Sequence, residues 1–267
     1  MSIAVPRTRA RRALMLLAGL ILAGSAVPAS TGLTAGPVGS ATSSSADRPA
    51  VIASRVIGHS VRERQIFAYR VGQPRAETSA VVMAAMHGDE PAPIRIVREL
   101  RDGAPIVGID LWLIPIHNRD GVVRGDRHNA RGVDLNRNFP VHWKPLTGTY
   151  YSGPRPRSEP ETRAVMRFLH WVDPDLVVSF HQPLHGIDVS DAKRPRWART
   201  LARELRLPIK HIDCGGKCHG TMTQWFNKRH DGMAITVELG HDPSRRYLRT
   251  VAPRGLLRAL GARTTGS

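Results

Sequence analysis

The sequence feature that most constrains the fold lies at residues 80–91. Seven apolar residues (80–86) predict a buried β-strand, and the apolar run ends abruptly at His87-Gly88-Asp89-Glu90. His87 and Glu90, three residues apart at the end of a buried strand, can reach the same metal ion. Imidazole nitrogen and carboxylate oxygen are both zinc ligands, and a catalytic zinc takes three protein ligands and keeps one position open. A third ligand must therefore come from elsewhere in the chain.

The N-terminal part of the chain predicts an export signal followed by a linker. Four arginines precede an uncharged apolar stretch at residues 13–26, and small residues then complete a cleavage-site pattern. This is typical of a secretory signal peptide over residues 1–29, because the apolar stretch is shorter than a membrane span. An uncleaved N-terminal anchor is the alternative. Residues 30–50 are rich in Ser, Thr, Gly, Ala and Pro, which predicts a flexible linker.

The remaining residues, 51–267, are expected to form one catalytic domain that is secreted and associated with the cell wall. The net charge of +17 favours anionic partners. Outside the cell these are wall polymers that carry phosphate and carboxylate groups, rather than nucleic acid. No other apolar stretch is long enough to cross a membrane, so no membrane association is expected after signal cleavage. Most of the 39 basic residues are arginine, and GC-rich codons are an alternative cause of this charge.

Strands alternate with helices through this domain. Besides the strand at residues 80–86, buried strands are predicted at residues 109–116, 176–180 and 233–239, with amphipathic helices between them. This alternation indicates an α/β fold, a three-layer αβα sandwich around a mixed, largely parallel sheet. In such sheets the functional site lies beyond the carboxyl ends of the strands.

Polar side chains suited to metal binding or proton transfer occur at these predicted strand ends. They are His87, Glu90, His181 and Glu238. His181 is the best-placed candidate for the third ligand, because most other histidines fall in loops, where a solvated histidine is the usual case.

Two local patterns lead to further expectations. His117 also follows a strand, but Asn118-Arg119-Asp120-Gly121 predicts a turn there, which makes His117 a weaker ligand candidate. Ser158 and Glu161 have the spacing of a capping box, which predicts that a helix begins at Ser158. Residues 122–156 between these patterns show no periodicity, and a loop of this length is usually functional or disordered.

Six segments occur in one order across residues 80–240. They are His87-Gly88-Asp89-Glu90, Asn118-Arg119-Asp120-Gly121, and residues 131–140, 158–162, 177–184 and 236–239. Together they resemble the M14-type zinc carboxypeptidases, and within that family they are most similar to the bacterial murein peptide amidases. Those enzymes free diaminopimelate from γ-D-glutamyl cell-wall peptides. The resemblance therefore implies a zinc metallopeptidase that acts on cell-wall peptides.

The resemblance assigns a metal site and a catalytic acid–base group. His87, Glu90 and His181 would hold one zinc ion. Glu238 matches the family's catalytic glutamate, which takes a proton from water and passes it to the leaving amine.

Three further positions match the family's substrate contacts. Arg127 would stabilise the oxyanion, and Asn136 and Arg137 would bind the terminal carboxylate of the substrate. The sequence departs from the family at Arg119, where proline is usual. Residues 214–232 also contain no counterpart of the mobile tyrosine of digestive carboxypeptidases, which favours the amidase branch.

The two cysteines of the chain, Cys214 and Cys218, are expected to form a disulfide in an exported protein. This disulfide would close a tight loop at one wall of the substrate pocket. A second metal site that includes His219 is the alternative.

The sequence is therefore interpreted as a secreted zinc metallocarboxypeptidase or amidase with one Zn²⁺ per chain and a peptide substrate. The expected substrate bond is γ-D-glutamyl-diaminopimelate in murein peptides. Two other enzymatic interpretations remain open: a general secreted carboxypeptidase, and an N-acyl amino acid deacylase of the aspartoacylase type. A non-catalytic wall-binding module is the alternative from a different class.

Overall fold

The computed structural model describes residues 50–266 of the chain. The predicted signal peptide (residues 1–29) and all of the predicted linker except Ala50 lie outside the described residues.

Strands and helices alternate along the described chain, as the sequence predicts. The strands are β1 (Val51–His59), β2 (Gln65–Gly72), β3 (Ser79–Met83), β4 (Ile106–Val107), β5 (Asp110–Ile114), β6 (Leu176–His181), β7 (Gly186–Asp188), β8 (Ile209–Lys210), β9 (Met233–Glu238) and β10 (Arg263–Thr264). The α-helices are α1 (Ala92–Asp102), α2 (Arg119–Arg124), α3 (Pro160–Val172), α4 (Pro195–Leu205), α5 (Met222–Arg229) and α6 (Ala252–Ala259).

An eight-stranded mixed sheet forms the centre of the domain, in the order β1-β2-β5-β3-β6-β9-β7-β8. Strands β5, β3, β6 and β9 run parallel to one another. Towards one edge, β2 pairs antiparallel with β5 and β1 pairs antiparallel with β2. Towards the other edge, β7 pairs antiparallel with β9 and parallel with β8. The parallel strands are apolar on both faces because helices cover both faces. A separate two-stranded sheet pairs β10 with β4.

Helices pack on both faces of the sheet and create two apolar layers. One layer joins alternate residues of β3, including Ala80 and Val82, to α1, α4 and α6. The other joins Val81 and Met83 of the same strand to α3 and α5. The predicted three-layer αβα sandwich is therefore confirmed.

The strand register brings the predicted site residues together. In the parallel pair of β6 and β9, His181 lies opposite Glu238. Strand β3, on the other side of β6, ends four residues before His87. The carboxyl ends of three adjacent strands thus meet at one edge of the sheet, where a site is expected in an open α/β fold.

The predicted turn at residues 118–121 was wrong, because this segment begins helix α2. Asn118 is the N-cap, and its side-chain oxygen accepts a hydrogen bond from the Gly121 amide over 2.8 Å.

The predicted capping box was wrong as well. Helix α3 begins at Pro160, with Glu159 at the N-cap position and no side-chain cap. The Ser158 hydroxyl donates to the Glu159 carboxylate, and the Glu161 carboxylate accepts from the Val61 amide over 2.9 Å. These contacts replace the local ones that the capping box requires.

Among residues 50–266, no helix combines the length and the apolar character needed to cross a membrane.

Candidate active site

The three predicted metal ligands converge below the surface. His87, Glu90 and His181 are each at most 5% exposed. The Glu90 carboxylate lies between the two rings, with Oε1 2.6 Å from His87 Nδ1 and Oε2 2.9 Å from His181 Nδ1. One ligand atom from each residue falls within 4.8 Å of the other two, and the group could hold a metal ion.

A close backbone contact fixes the loop that carries His87 and Glu90. The Gly88 amide donates to the Asp126 carbonyl over 3.1 Å. A Cβ atom at position 88 would lie 2.0 Å from the carbonyl carbon of Gly121, so only glycine fits there. The loop is therefore held against the start of α2.

Hydrogen bonds on the far side of each ring orient the two histidines. His87 Nε2 lies 3.0 Å from Asp134 Oδ1, and His181 Nε2 lies 3.1 Å from the Ser179 hydroxyl. A carboxylate can only accept, so His87 donates its Nε2 proton to Asp134, and Nδ1 is the ring nitrogen that binds a metal once it has lost its own proton.

The two Nδ1 atoms face each other over 3.3 Å, with the Glu90 carboxylate beside them. Two nitrogen atoms and one carboxylate directed at one point form the donor set of a three-ligand zinc site. The side chains present therefore fit zinc.

Burial and charge oppose each other at these groups. Burial lowers the pKa of His87, but the carboxylates of Glu90 and Asp134 outweigh it and raise that pKa from 6.5 to about 9. Burial raises the pKa of Glu90, but the two histidines reverse this effect and hold the pKa far below its ordinary value. The site is thus electrostatically prepared for a positive charge at its centre.

Glu238 lies at the end of β9 beside His181. It is 8% exposed, and its Oε2 accepts a hydrogen bond from the Leu184 amide over 3.3 Å. Burial raises the pKa of Glu238, the nearby His181 lowers it in part, and the result is a pKa above the ordinary value. A carboxyl group with a raised pKa beside a metal-binding group is suited to proton transfer.

Arg127 reaches the metal-binding group from the loop after α2. Its Nε and Nη2 atoms donate to Asp134 Oδ2 over 3.0 and 2.8 Å. Its Nη1 atom lies 3.3 Å from His87 Nδ1 and 3.7 Å from Glu90 Oε1. The predicted oxyanion-stabilising residue therefore directs a guanidinium nitrogen to the centre of the site.

Asn136 and Arg137 lie in a short 3₁₀ turn, Leu135–Arg137. The Asn136 side-chain oxygen accepts from the Met222 amide over 3.0 Å, which anchors this turn to the start of α5. Arg137 is 3% exposed, and its Nη1 donates to the Asn136 carbonyl over 2.8 Å. Its Nε atom is buried and has no hydrogen-bond partner among the described residues. A buried guanidinium with unused donors fits an anionic ligand such as a carboxylate.

The chain matches the zinc carboxypeptidase family over residues 43–184, which is more than half of its length. It belongs to the M14 family of zinc carboxypeptidases. The resemblance inferred from the sequence is thereby confirmed, and zinc is the metal that this family uses.

Among curated proteins, this M14 family member is similar to murein peptide amidase A of Escherichia coli (strain K12). The two are 33% identical over 162 residues, which cover 55% of this chain and 65% of the amidase. Murein peptide amidase A of Vibrio campbellii is 31% identical over 185 residues, which cover 64% of this chain and 73% of that protein.

Solved structures show the same relationship. The murein-tripeptide amidase of Escherichia coli O157 matches with a TM-score of 0.63 and 29% identity, and the match covers 74% of this chain and 90% of the amidase. A carboxypeptidase A from Helicoverpa armigera matches with a TM-score of 0.61 at 16% identity, over 79% of this chain and 68% of that one. At this low identity the second match shows a shared fold.

A cavity of about 530 Å³ connects all the predicted site residues of this M14 family member. The metal-binding group, Arg127, Asn136, Arg137 and Glu238 all line it. Three carboxylates that the sequence analysis did not identify, Asp188, Asp191 and Asp213, line it as well. The same cavity therefore contains a buried cation and a group of acidic side chains.

Cys214 and Cys218 are joined as a disulfide in the wall of this cavity. The alternative of a second metal site with His219 has no support, because the described residues contain no second cluster of three or more possible metal ligands that includes it.

Three further residues that support the site were not predicted from the sequence. Asp134 falls inside residues 131–140, a segment recognised as family-like, but no function was assigned to it. Ser179 lies two residues before His181 on β6, and alternation along the strand gives both side chains the same face. The ring of Tyr150 lies 5.5 Å from the Arg127 guanidinium and 5.0 Å from that of Arg137, in a loop without periodicity. Alternation along β6 was the one signal that could have identified Ser179.

Proposed function

We propose that the chain hydrolyses the amide bond before the C-terminal residue of its substrate. The proposed substrates are murein peptides, and the bond cleaved is the one between γ-D-glutamate and diaminopimelate. One observation carries this proposal: a single cavity contains the metal-binding group, Glu238 and the buried guanidinium of Arg137. The similarity to murein peptide amidases of two bacterial species supports the substrate.

His87, Glu90 and His181 would hold zinc, which would act as a Lewis acid when it is bound. Glu238 accepts a proton from the attacking water and delivers it to the leaving nitrogen, so that the amine departs neutral. The raised pKa of Glu238 favours retention of that proton until the amide bond breaks. Arg127 directs its guanidinium at the negative charge that develops on the carbonyl oxygen.

The substrate's free carboxylate would pair with Arg137, and Asn136 would complete the contact. The unused buried Nε of Arg137 supports this assignment. Asp188, Asp191 and Asp213 line the same cavity and would contact a positively charged group of the leaving residue. Diaminopimelate carries a distal ammonium group, and lysine does too.

The acidic lining also favours a second candidate, a carboxypeptidase that removes C-terminal lysine from ordinary peptides. The match to the zinc carboxypeptidase family leaves the aspartoacylase-type alternative without specific support. A non-catalytic wall-binding module is disfavoured, because every predicted metal ligand and Glu238 line one cavity.

We further propose that the protein acts outside the cytoplasm, because residues 1–29 have the pattern of a secretory signal. N-terminal sequencing of protein recovered from the culture medium or the wall fraction tests this. A chain that begins near residue 30 supports export, and recovery of the full-length chain from the cytoplasm alone contradicts it.

The substrate is tested by incubating the zinc-loaded protein with L-Ala-γ-D-Glu-meso-diaminopimelate and with peptides that end in Lys, Phe or Ala. Mass spectrometry identifies the products. Release of diaminopimelate at the highest kcat/KM supports the amidase function. A higher kcat/KM for the lysine peptide supports the second candidate.

A further inference from the structure

A second cavity lies between α3 and α5 and shares no lining residue with the catalytic cavity. It has a volume of about 500 Å³, and four arginines line it: Arg157, Arg163, Arg167 and Arg229. Two histidines, a methionine and a tryptophan complete the lining, and no carboxylate takes part. We refer to this cavity as the arginine groove.

The positive charges of the arginine groove are not neutralised. Within residues 50–266, no ion pair joins any of its four guanidinium groups to a carboxylate. Arg163 is half-buried, and its Nη1 donates to the carbonyl oxygens of Arg157 and Ser158. The other three arginines are exposed. Four like charges around one concave surface create a positive potential that an anion bound between them would offset.

The aromatic floor of the groove consists of rings in contact with one another. The His230 ring stacks on Phe226 with a centroid distance of 4.4 Å, and it also contacts Trp225 edge-on. Asp173 pairs with His230 over 3.2 Å. The guanidinium groups therefore surround a packed aromatic surface.

The positively charged surface continues beyond the groove. Arg163 and Arg167 also line a neighbouring depression of about 250 Å³. Among the described residues that line this depression, only Glu63 carries a carboxylate. Arg167 lines a third depression of about 260 Å³, where the Arg55 guanidinium lies 4.4 Å from the exposed ring of Trp171. Three adjoining depressions suit an elongated ligand with repeated charges better than a single small anion.

We propose that the arginine groove and its two neighbours bind a linear polymer of phosphate groups. Arginine presents a planar fork of donors that pairs with phosphate through two hydrogen bonds, and it keeps its charge at any physiological pH. The unpaired guanidinium groups, the absence of a lining carboxylate in the main groove and the sharing of Arg167 by all three depressions fit this ligand. The surface would hold the enzyme on such a polymer while its catalytic cavity stays open.

The test uses the zinc-loaded protein and inorganic polyphosphate, with binding measured by calorimetry at several salt concentrations. The test variant is Arg167→Ala/Arg229→Ala, because both side chains are exposed and line the groove. The control variant is Arg199→Ala/Arg254→Ala, which removes the same charge from exposed positions of α4 and α6 that line none of the three depressions.

Polyphosphate is expected to bind the unaltered protein. The test variant should weaken this binding at least about tenfold and flatten its salt dependence, and the control should change affinity less than about threefold. Both variants should hydrolyse a small peptide substrate at the unaltered rate.

Three results would overturn the proposal: no binding of polyphosphate, equal losses in the two variants, or tighter binding of polygalacturonate, a carboxylate polymer, than of polyphosphate. The last result would assign the surface to another class of polymer.

Discussion

Asp134 Oδ1 accepts a hydrogen bond from His87 Nε2 over 3.0 Å. The second oxygen of the same carboxylate accepts two hydrogen bonds from Arg127, and Asp134 is fully buried. One carboxylate therefore fixes the tautomer of a metal ligand and the position of the guanidinium that faces the substrate. Hydrogen bonds of this kind tune a metal site, because they orient its ligands and make them more basic.

The first prediction is that Asp134→Asn weakens zinc binding by about 10–100-fold. An asparagine offers one acceptor oxygen and one donor nitrogen, so it cannot accept from both His87 and Arg127. Zinc affinity measured by competition with a chelator tests this. Asp102→Asn, at an exposed carboxylate on α1, is the matched control. Unchanged affinity in Asp134→Asn would show that the His87 tautomer does not depend on this contact.

The second prediction concerns metal content. We expect one zinc per chain in the purified protein and less than one tenth of that in His181→Ala, because the variant keeps only two of the three ligands. His185→Ala, at an exposed histidine four residues further along, should keep full zinc content. Elemental analysis of dialysed protein measures both. Full zinc in His181→Ala would remove His181 from the ligand set.

Most of the fold could be predicted because its central strands are continuous apolar runs with helices between them. The strand at residues 80–86 was correctly placed, although β3 already ends at Met83. The short strands β7 and β8 were missed, since two or three residues show no periodicity. Local signals also failed at Ser158, where contacts with distant segments replace the capping box.

The metal-binding group could be predicted because its members follow buried strands and match a family pattern. The acidic wall of the catalytic cavity could not. Asp188 ends the short strand β7, and Asp191 and Asp213 lie in loops, where carboxylates are common. Only the packing of those segments around the cavity gives the three carboxylates a shared environment.

The third prediction tests the carboxylate contact. Arg137→Ala should raise KM for a diaminopimelyl substrate by about tenfold or more and change kcat less, because the lost contact exists both before and during the reaction. Steady-state kinetics on the free acid and on its C-terminal amide separate the effects. The amide should be a poor substrate for the unaltered protein, and Arg137→Ala should change its KM little. Equal activity of the unaltered protein on both substrates would contradict this role for Arg137.

The fourth prediction is a pH dependence of stability at Glu161. Burial raises the pKa of this carboxyl group above its ordinary 4.5, although hydrogen bonds from Val61 and Asn129 partly offset the effect. At a pH near or above 4.5, Glu161 is therefore protonated to a greater extent in the folded protein than in the unfolded chain. The contribution of Glu161 to stability is complete below the unfolded pKa and is lost as the pH rises through the folded pKa.

Glu161→Gln removes this titration. The Tm of the variant minus the Tm of the unaltered protein should therefore increase between about pH 5 and 8, whatever its value at pH 5. Thermal unfolding of the zinc-loaded proteins across this range measures the difference. Glu77→Gln serves as the control for loss of an exposed carboxylate. A difference that falls with pH would mean that the folded protein holds Glu161 ionised more readily than the unfolded chain does.

The last prediction concerns Glu238 and separates an enzyme from a binding module. The burial of Glu238 beside His181 is costly for a structural carboxylate, because its one hydrogen bond within the described residues comes from the Leu184 amide. Glu238→Gln keeps the size of the side chain and an acceptor for that amide, but it cannot take a proton from water. Zinc content and substrate affinity should therefore be retained.

The kcat of Glu238→Gln should fall by at least about a hundredfold, the lower limit for a positioned proton-transfer group. Glu204→Gln, at a carboxylate on α4 that pairs with Arg258, should keep the unaltered kcat. Zinc analysis and kinetics on the same preparations distinguish the outcomes. Loss of zinc from Glu238→Gln would make this residue a fourth ligand. Normal turnover with full zinc would make it structural, and another group in the cavity would then have to accept the proton.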